Sequence, residues 1–196
     1  MKTAARIKIG LAELKNAAMT LFFAAGLFTS ARAAGPPKAG DVAPNFTLNT
    51  LADKPVELKQ LTASNPVVLV VLRGWPGYQC PICTRQVHDF VARADEFAAD
   101  KAQVLMVYPG PAENLKAHAQ EFLQDKEWPK DFLFVVDPDY TFTAAYGLRW
   151  NAPNETAYPS TFIIDKKGIV RFTHVSHSHG DRVSATGVLE ALRTLR

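Results

Sequence analysis

Cysteine is scarce in this sequence. Its 196 residues include only two, Cys80 and Cys83, within the tetrapeptide Cys-Pro-Ile-Cys. A structural zinc finger needs more cysteine or histidine ligands at close spacing than this stretch supplies. A disulfide between the two would close a very small loop, so it would restrict the unfolded chain much less than a long-range bridge does. The sequence therefore disfavours a disulfide-stabilised scaffold and leaves a redox-active or metal-binding pair.

Long apolar runs are also missing, since no stretch reaches the ~20 apolar residues that a transmembrane helix requires. The apolar stretch from Ala17 to Thr29 is shorter, follows a basic segment and precedes the small-x-small sequence Ala31-Arg32-Ala33. These features are typical of a secretory signal peptide. We therefore predict a signal peptide over residues 1–33, a Pro/Gly-rich linker over 34–40 and one domain over 41–196, in a protein exported to the bacterial periplasm. An uncleaved N-terminal anchor is the alternative. The linker is expected to be mobile.

A strong net charge is absent once the predicted signal is set aside. The first 33 residues carry five of the 22 lysines and arginines but only one of the 19 acidic residues, which leaves 17 basic and 18 acidic side chains. The basic character of the whole chain thus belongs to the predicted signal. Because nucleic-acid-binding domains carry a basic surface, we expect no nucleic-acid partner.

The rest of the chain is organised around residues 67–83. Val67 to Leu72 is an unbroken apolar run, which is typical of a strand buried on both faces. After Cys83, apolar residues recur at helical spacing as far as Ala98, which predicts one long amphipathic helix. Both sulfurs are thus expected at a helix N-terminus, where free backbone N–H groups and the helix dipole favour a thiolate.

The other segments alternate between strand and helix patterns. We predict further strands at 46–51, 56–58, 104–108, 133–136, 161–164 and 169–172, and further helices at 115–123, 139–146 and 188–195. Crossover helices require parallel strands, and the Asp165-Lys166-Lys167-Gly168 turn then predicts a hairpin of antiparallel strands. The predicted fold is α/β, with a mixed central sheet flanked by helices on both faces.

The two cysteines are expected to differ. Cys80 should lie at or just before the first helical turn, where its pKa falls, and Pro81 suits an early helical position because its missing N–H needs no partner. Cys83 lies one turn later and should be more buried. In a disulfide exchange, Cys80 would attack and Cys83 would resolve the mixed disulfide. This chemistry requires no cofactor.

Topology predicts which other residues lie near the pair. The strand from Thr161 should run antiparallel to the central strand, which brings Pro159 near the cysteines with backbone free to bind an extended substrate. The next strand runs back, and we expect Arg171, near its end, to lie beside the sulfurs. Trp75 could line the site.

Three of the five histidines, His174, His177 and His179, follow at the same edge. A polar loop with solvated imidazoles is the simpler interpretation. The alternative is a metal site shared with Cys80 and Cys83, because imidazole and thiolate together suit copper or zinc.

Four segments match sequence motifs of a known family. They are G-D-V-A-P-N-F-T-L (40–48), the strand that leads into C-P-I-C, D-P-D-Y…A-Y-G-L (137–148) and Y-P-S-T-F-I-I-D-K-K-G-I-V-R (158–171). They resemble the thioredoxin superfamily, and more closely the alkyl hydroperoxide reductase/thiol-specific antioxidant group, the peroxiredoxins and their relatives. The resemblance covers nearly all of residues 40–196 and implies a thioredoxin-like fold.

The resemblance also implies roles for single residues. Peroxiredoxins carry P-x-x-x-T-x-x-C, and Pro76, Cys80 and Cys83 fit this spacing with Cys80 in place of the threonine, so that Cys83 would attack peroxide. Arg171 matches the arginine of G-x-(I/V)-x-R and would hold the thiolate and the peroxide oxygens. Thioredoxin-like disulfide reductases instead attack with the first cysteine and have a cis-proline where Pro159 stands.

Three functions are therefore considered. The first is an exported thiol-dependent oxidoreductase with antioxidant activity, which reduces hydroperoxides through a Cys80–Cys83 disulfide and is regenerated by a thioredoxin-like protein or a small thiol. The second is a thioredoxin-like protein disulfide reductase. The third is a copper-binding delivery protein, although such proteins usually space their cysteines as C-x-x-x-C. The sequence leaves the oligomeric state open.

Overall fold

The computed structural model of the chain describes residues 35–124 and 126–195. The predicted signal peptide, residues 1–33, lies outside the described residues. Within the described part, no helix is both long enough and apolar enough to cross a membrane.

A seven-stranded mixed sheet forms the centre of the domain, with strand order β2-β1-β5-β4-β3-β6-β7. The strands are β1 Thr47–Thr50, β2 Pro55–Glu57, β3 Val67–Val71, β4 Gln103–Gly110, β5 Phe132–Pro138, β6 Ser160–Ile164 and β7 Val170–Val175. The helices are α1 Leu58–Ser64, α2 Pro81–Val91, α3 Ala94–Ala99, α4 Leu115–Leu123, α5 Thr141–Ala145 and α6 Ala185–Thr194. Strands β3, β4 and β5 are parallel, and the other neighbours are antiparallel. The predicted mixed α/β fold is confirmed.

The central strand β3 is buried on both faces, because all five of its residues are inaccessible to solvent. Val68 and Val70 face a core formed with α2, α3, α4 and α6. The alternate residues of β3 face a second core, to which α1 and α5 contribute. A strand with an apolar layer on each side needs no polar residue, which explains the unbroken run in the sequence.

The register of β3 defines two opposite edges of the sheet. At its carboxyl end, Val71 pairs with Val107 and with Ser160, and Ser160 in turn pairs with Val175. We call this the carboxyl edge of β3. At the other end, Val67 pairs with Ile164. Any loop that follows β3 or β7 therefore begins at the carboxyl edge.

The structure differs from the predicted helices in two places. The long helix expected after Cys83 is interrupted at Arg93, whose backbone (φ −115°, ψ 20°) is not helical. Beyond the interruption, Phe97 of α3 stacks on Phe90 of α2 with ring centroids 5.4 Å apart, so both rings stay in one core. Helix α1, which begins directly after β2, was not predicted, since its seven residues carry too few apolar positions for a clear period.

Residues 35–40, part of the predicted linker 34–40, are attached to the sheet. Pro37 is buried, and its carbonyl accepts a hydrogen bond of 2.8 Å from the Thr173 hydroxyl. The Gly40 N–H donates to the Val170 carbonyl at 2.8 Å. This segment therefore packs along β7, and the expectation of a mobile linker is wrong for its described residues.

The turn after β3 passes very close to the end of β4. The Trp75 N–H donates to the Pro109 carbonyl at 2.9 Å, and Gly74, just before it, has a φ of 72°. A Cβ atom on Gly74 would lie 1.9 Å from the same carbonyl oxygen. Only glycine combines this φ with this approach, so Gly74 fixes the path of the chain toward Cys80.

The substitution Gly74→Ala should lower the free energy of unfolding by about 2 kcal/mol or more, because it adds a backbone clash to a strained φ. Urea denaturation followed by circular dichroism measures the change. Gly180→Ala is a matched control, since a Cβ atom there would meet nothing within 4 Å. We expect the control to differ from the wild type by less than about 0.5 kcal/mol. Equal stability of the two variants would contradict the role of Gly74.

Candidate active site

The two cysteines lie at the N-terminus of α2, on the carboxyl edge of β3. Cys80 is the N-cap residue, and Pro81 is the first residue of the helix. The Cys80 sulfur accepts a hydrogen bond from the Cys83 N–H at 3.4 Å. It thus takes the place of the side-chain oxygen that usually caps a helix, and negative charge on the sulfur is favoured there.

The two thiols have opposite pKa shifts. The pKa of Cys80 falls to about 5, chiefly because the Cys83 thiol donates a hydrogen bond to its sulfur. The pKa of Cys83 is raised well above its ordinary value, first because the thiol is completely buried and then because of the same hydrogen bond to Cys80. Cys80 is 3% exposed and Cys83 is 0% exposed. Near neutral pH, Cys80 is therefore the thiolate, and Cys83 keeps its proton.

An arginine that no sequence motif marks lies against this pair. Arg182 Nη1 is 3.5 Å from the Cys83 sulfur and donates to Gln86 Oε1 at 2.7 Å. Its Nε donates to the His179 carbonyl at 3.1 Å. The positive charge of Arg182 lowers the pKa of Cys80 and also that of Cys83. Arg182 lies in the loop between β7 and α6, so only the folded chain brings it to the cysteines.

Arg171 does not reach the cysteines. It lies near the start of β7, where Val170 pairs with Ile164, so it is at the end of the sheet opposite to the carboxyl edge of β3. Its guanidinium pairs with Asp165 at 2.6 Å. The predicted placement is wrong because the strand was expected to end at Phe172, whereas β7 continues to Val175. No role at the sulfurs is possible for Arg171 in this fold.

Pro159 does lie at the carboxyl edge of β3, since the next residue, Ser160, pairs with Val71. However, Pro159 is buried, and its carbonyl accepts a hydrogen bond of 2.9 Å from the Ser176 N–H. The peptide bond before Pro159 is trans. The expectation of free backbone for an extended substrate is therefore wrong, and the cis-proline of thioredoxin-like reductases is not found here.

Trp75 and Pro76 are half-buried residues of the turn that leads to Cys80. The Trp75 ring stacks on His118 of α4, with ring centroids 3.6 Å apart and an angle of 8° between the planes. Closer to Cys80, Gln79 donates to the His118 carbonyl at 2.8 Å. These contacts hold the turn against α4. The predicted role of Trp75 in lining the site and that of Pro76 in the peroxiredoxin motif stay predictions.

The three clustered histidines point to different partners. His174 Nε2 lies 3.3 Å from Asp181 Oδ1, and His179 Nε2 lies 2.8 Å from Glu155 Oε1. The ring of His177 packs edge-on against the ring of Tyr158. In the part of the chain that the structure describes, no three His, Cys, Asp or Glu side chains are grouped so as to hold a metal ion. The geometry gives no support to a shared copper or zinc site.

A buried arginine joins the loops around the site. Arg73 is 2% exposed and donates to Glu155 at 2.7 Å, to the Tyr78 hydroxyl at 2.5 Å and to the Asn154 carbonyl at 2.7 Å. Burial alone would lower the pKa of Arg73, but the hydrogen bonds with Glu155 and Tyr78 outweigh it and raise the pKa. Since Glu155 also binds His179, Arg73 connects the turn before Cys80 to the loop that carries Arg182.

Comparison with known proteins identifies the family of the chain. The sequence profile of the AhpC/TSA family matches residues 39–173. The chain belongs to this family. Peroxiredoxin Q, a chloroplastic protein of Triticum aestivum, is 26% identical over 140 residues, which are 71% of this chain and 60% of that protein. The chain thus spans about 60% of the length of this curated relative.

Solved structures show the same fold in two kinds of protein. The peroxidoxin BcpB of Mycobacterium tuberculosis aligns with a TM-score of 0.64 and 25% identity, over 82% of this chain and 99% of that one. A thiol:disulfide interchange protein DsbE of Chlorobium tepidum aligns with a TM-score of 0.58 and 25% identity, over 80% of this chain and 99% of that one. The predicted thioredoxin-like fold is confirmed.

The lowered pKa of Cys80 can be tested by alkylation. The reduced protein should react with iodoacetamide at Cys80 at a rate that rises with pH around a midpoint near pH 5, because only the thiolate reacts. Cys83 should stay unmodified, since it is buried and protonated. Mass spectrometry of the alkylated peptide gives both rates.

Two arginine variants sharpen this test. Arg182→Ala should move the midpoint to higher pH, because it removes a positive charge beside the thiols. Arg171→Ala removes the same charge at the opposite edge of the sheet and should leave the midpoint unchanged. A midpoint near pH 8.5 in the wild type, the ordinary range for cysteine, would contradict the thiolate at Cys80.

Proposed function

We propose that this protein is a thiol peroxidase in which Cys80 attacks a hydroperoxide and Cys83 resolves the product. The observation that carries the proposal is the pairing of a thiolate at a helix N-terminus with a protonated, fully buried thiol. Membership of the AhpC/TSA family supports a hydroperoxide as substrate. The order of attack differs from the one that the family motif implies, in which Cys83 would act first.

The reaction balances with the two thiols alone. The Cys80 thiolate attacks the terminal oxygen of the hydroperoxide, the O–O bond breaks, and an alkoxide or hydroxide leaves and takes a proton from solvent. Cys80 is thereby oxidised to a sulfenic acid. The Cys83 sulfur then attacks Cys80, the S–O bond breaks, and water leaves with the Cys83 proton. The resulting Cys80–Cys83 disulfide is reduced by two thiol equivalents from a thioredoxin-like protein or a small thiol.

Arg182 supports both halves of this cycle. In the reduced protein its charge favours the Cys80 thiolate. When a reductant attacks the disulfide at Cys80, the bond breaks toward Cys83, whose thiolate is then the leaving group. The guanidinium lies 3.5 Å from the Cys83 sulfur and stabilises that charge. A leaving thiolate with a lower pKa leaves faster.

Cysteine variants test the order of attack. Cys80→Ser should reduce peroxide consumption to the uncatalysed rate. Cys83→Ser should still react once with hydrogen peroxide and should accumulate a sulfenic acid at Cys80, which dimedone traps for mass spectrometry. A dimedone adduct at Cys83 in the Cys80→Ser variant would instead show that Cys83 attacks the peroxide first. Peroxide consumption by the wild type at the uncatalysed rate would refute the peroxidase.

A protein disulfide reductase is the second candidate, because a low-pKa cysteine followed by a buried partner also suits attack on a disulfide. The likeness to the DsbE structure favours it, whereas the engaged backbone of Pro159 does not. Under this function, the reduced protein would reduce insulin disulfides through Cys80 while peroxide consumption stayed at the uncatalysed rate.

We also propose export to the periplasm, on the strength of the basic segment, the apolar stretch and the Ala31-Arg32-Ala33 sequence at the N-terminus. Expression of the full chain in a Gram-negative host should give a periplasmic protein whose first residue is Ala34. Mass spectrometry of the purified protein measures its N-terminus. A full-length protein in the membrane fraction would indicate the uncleaved anchor, and one in the cytoplasm would refute export.

A further inference from the structure

An open surface cavity of about 200 Å³ lies between α2 and the loop that leads into α6. Ile82, the residue just before Cys83, lines it, and so does Arg182. Neither cysteine lines the cavity, but Arg182 contacts the Cys83 sulfur at 3.5 Å, so this guanidinium joins the cavity to the cysteine pair. The cavity belongs to the same side of the protein as the proposed chemistry.

The charged groups that line this cavity are mostly positive. Arg182 Nη2 is buried and has no hydrogen-bond partner among the described residues, although Nε and Nη1 are both engaged. Arg85 is exposed and makes no ion pair or hydrogen bond within the described part of the chain. The acidic group is Asp89, which accepts a hydrogen bond of 2.7 Å from the Ala185 N–H and lies 3.6 Å from Arg93.

We propose that this cavity binds the carboxylate of a small anionic substrate that reacts at the Cys80–Cys83 pair. A guanidinium presents donors that match the two oxygens of a carboxylate, and an unpaired buried donor gains the most from such a partner. The volume suits a short chain rather than a large ligand. The proposal rests on the proposed thiol chemistry and adds the class of molecule that the site selects.

Two kinds of molecule can bring a carboxylate to the cysteines: a small thiol that reduces the disulfide, or a hydroperoxide that oxidises the thiolate. In the first case, the thiolate of the small molecule attacks the Cys80 sulfur, the disulfide breaks, and Cys83 leaves as a thiolate. A second thiol then attacks the mixed disulfide and releases Cys80, so that two small thiols end as one disulfide. Arg85 and Arg182 hold the carboxylate during the first attack.

Reduction of the oxidised full-length protein by 3-mercaptopropionate and by 2-mercaptoethanol tests the first case. The protein is oxidised with diamide, so this arm does not depend on peroxidase activity. With rates expressed per thiolate, the anionic thiol should react about threefold to tenfold faster than the neutral one. Tryptophan fluorescence in a stopped-flow instrument follows the reaction. The ratio should fall toward one as salt is added.

Three variants test whether the preference for the anionic thiol depends on the arginines of the cavity. Arg85→Ala should lower the ratio of the two rates toward one, and Arg85→Lys should keep most of it. Lys166→Ala removes one positive charge from the β6–β7 turn, at the opposite edge of the sheet, and should leave the ratio unchanged. A ratio that survives Arg85→Ala, or one that falls equally in Lys166→Ala, would exclude a small thiol as the molecule bound in the cavity.

The second arm compares a short carboxylate-bearing hydroperoxide with tert-butyl hydroperoxide in oxidation of the reduced protein. A preference for the anionic member that depends on Arg85 here, but not in the thiol arm, assigns the cavity to the oxidant. Ratios near one in both arms overturn the proposal while leaving the peroxidase intact. Failure of the peroxidase alone would instead show as no reaction with either hydroperoxide, with the thiol arm still readable.

Discussion

The hydrogen bond between the Cys83 thiol and the Cys80 sulfur is the interaction on which the site depends. It lowers the pKa of one cysteine and raises that of the other, so a single proton sits between two sulfurs and belongs to the buried one. Two features determine which sulfur carries the charge: Cys83 is fully buried, which raises its pKa, and only Cys80 caps α2. The rest of the domain serves to hold this helix end at the carboxyl edge of β3, where three loops converge.

The sheet holds the N-terminus of α2 in place because its central strand, β3, is completely buried. β3 lies between two apolar layers and has no freedom to shift its register without moving both cores. The chain then leaves the strand through Gly74, which touches the end of β4, and it enters α2 only seven residues later, at Pro81. The buried strand and the short turn after it therefore fix the position of the sulfurs, and flexible side chains contribute little.

Local patterns were sufficient to predict the fold and the helix N-terminus. The apolar run of β3, the cysteine spacing and Pro81 all report on neighbouring residues, so the strand, the turn and the helix could be read directly. The arginine of the site could not, because Arg182 lies in a loop with no periodicity, and its approach to Cys83 depends on where α6 packs. A strand prediction three residues too short placed Arg171 beside the sulfurs, and the resemblance to the family motif implied the same role, but Arg171 lies at the opposite end of β7.

The ion pair between Arg73 and Glu155 has a consequence for how this sequence can change over evolutionary time. The two side chains are 82 positions apart and almost completely buried. Replacing either one alone would leave a charge in the interior, which typically costs about 3–5 kcal/mol. Relatives that differ at one position should therefore differ at the other as well. The two positions should therefore covary, and a pair of apolar residues is the replacement expected when both change together.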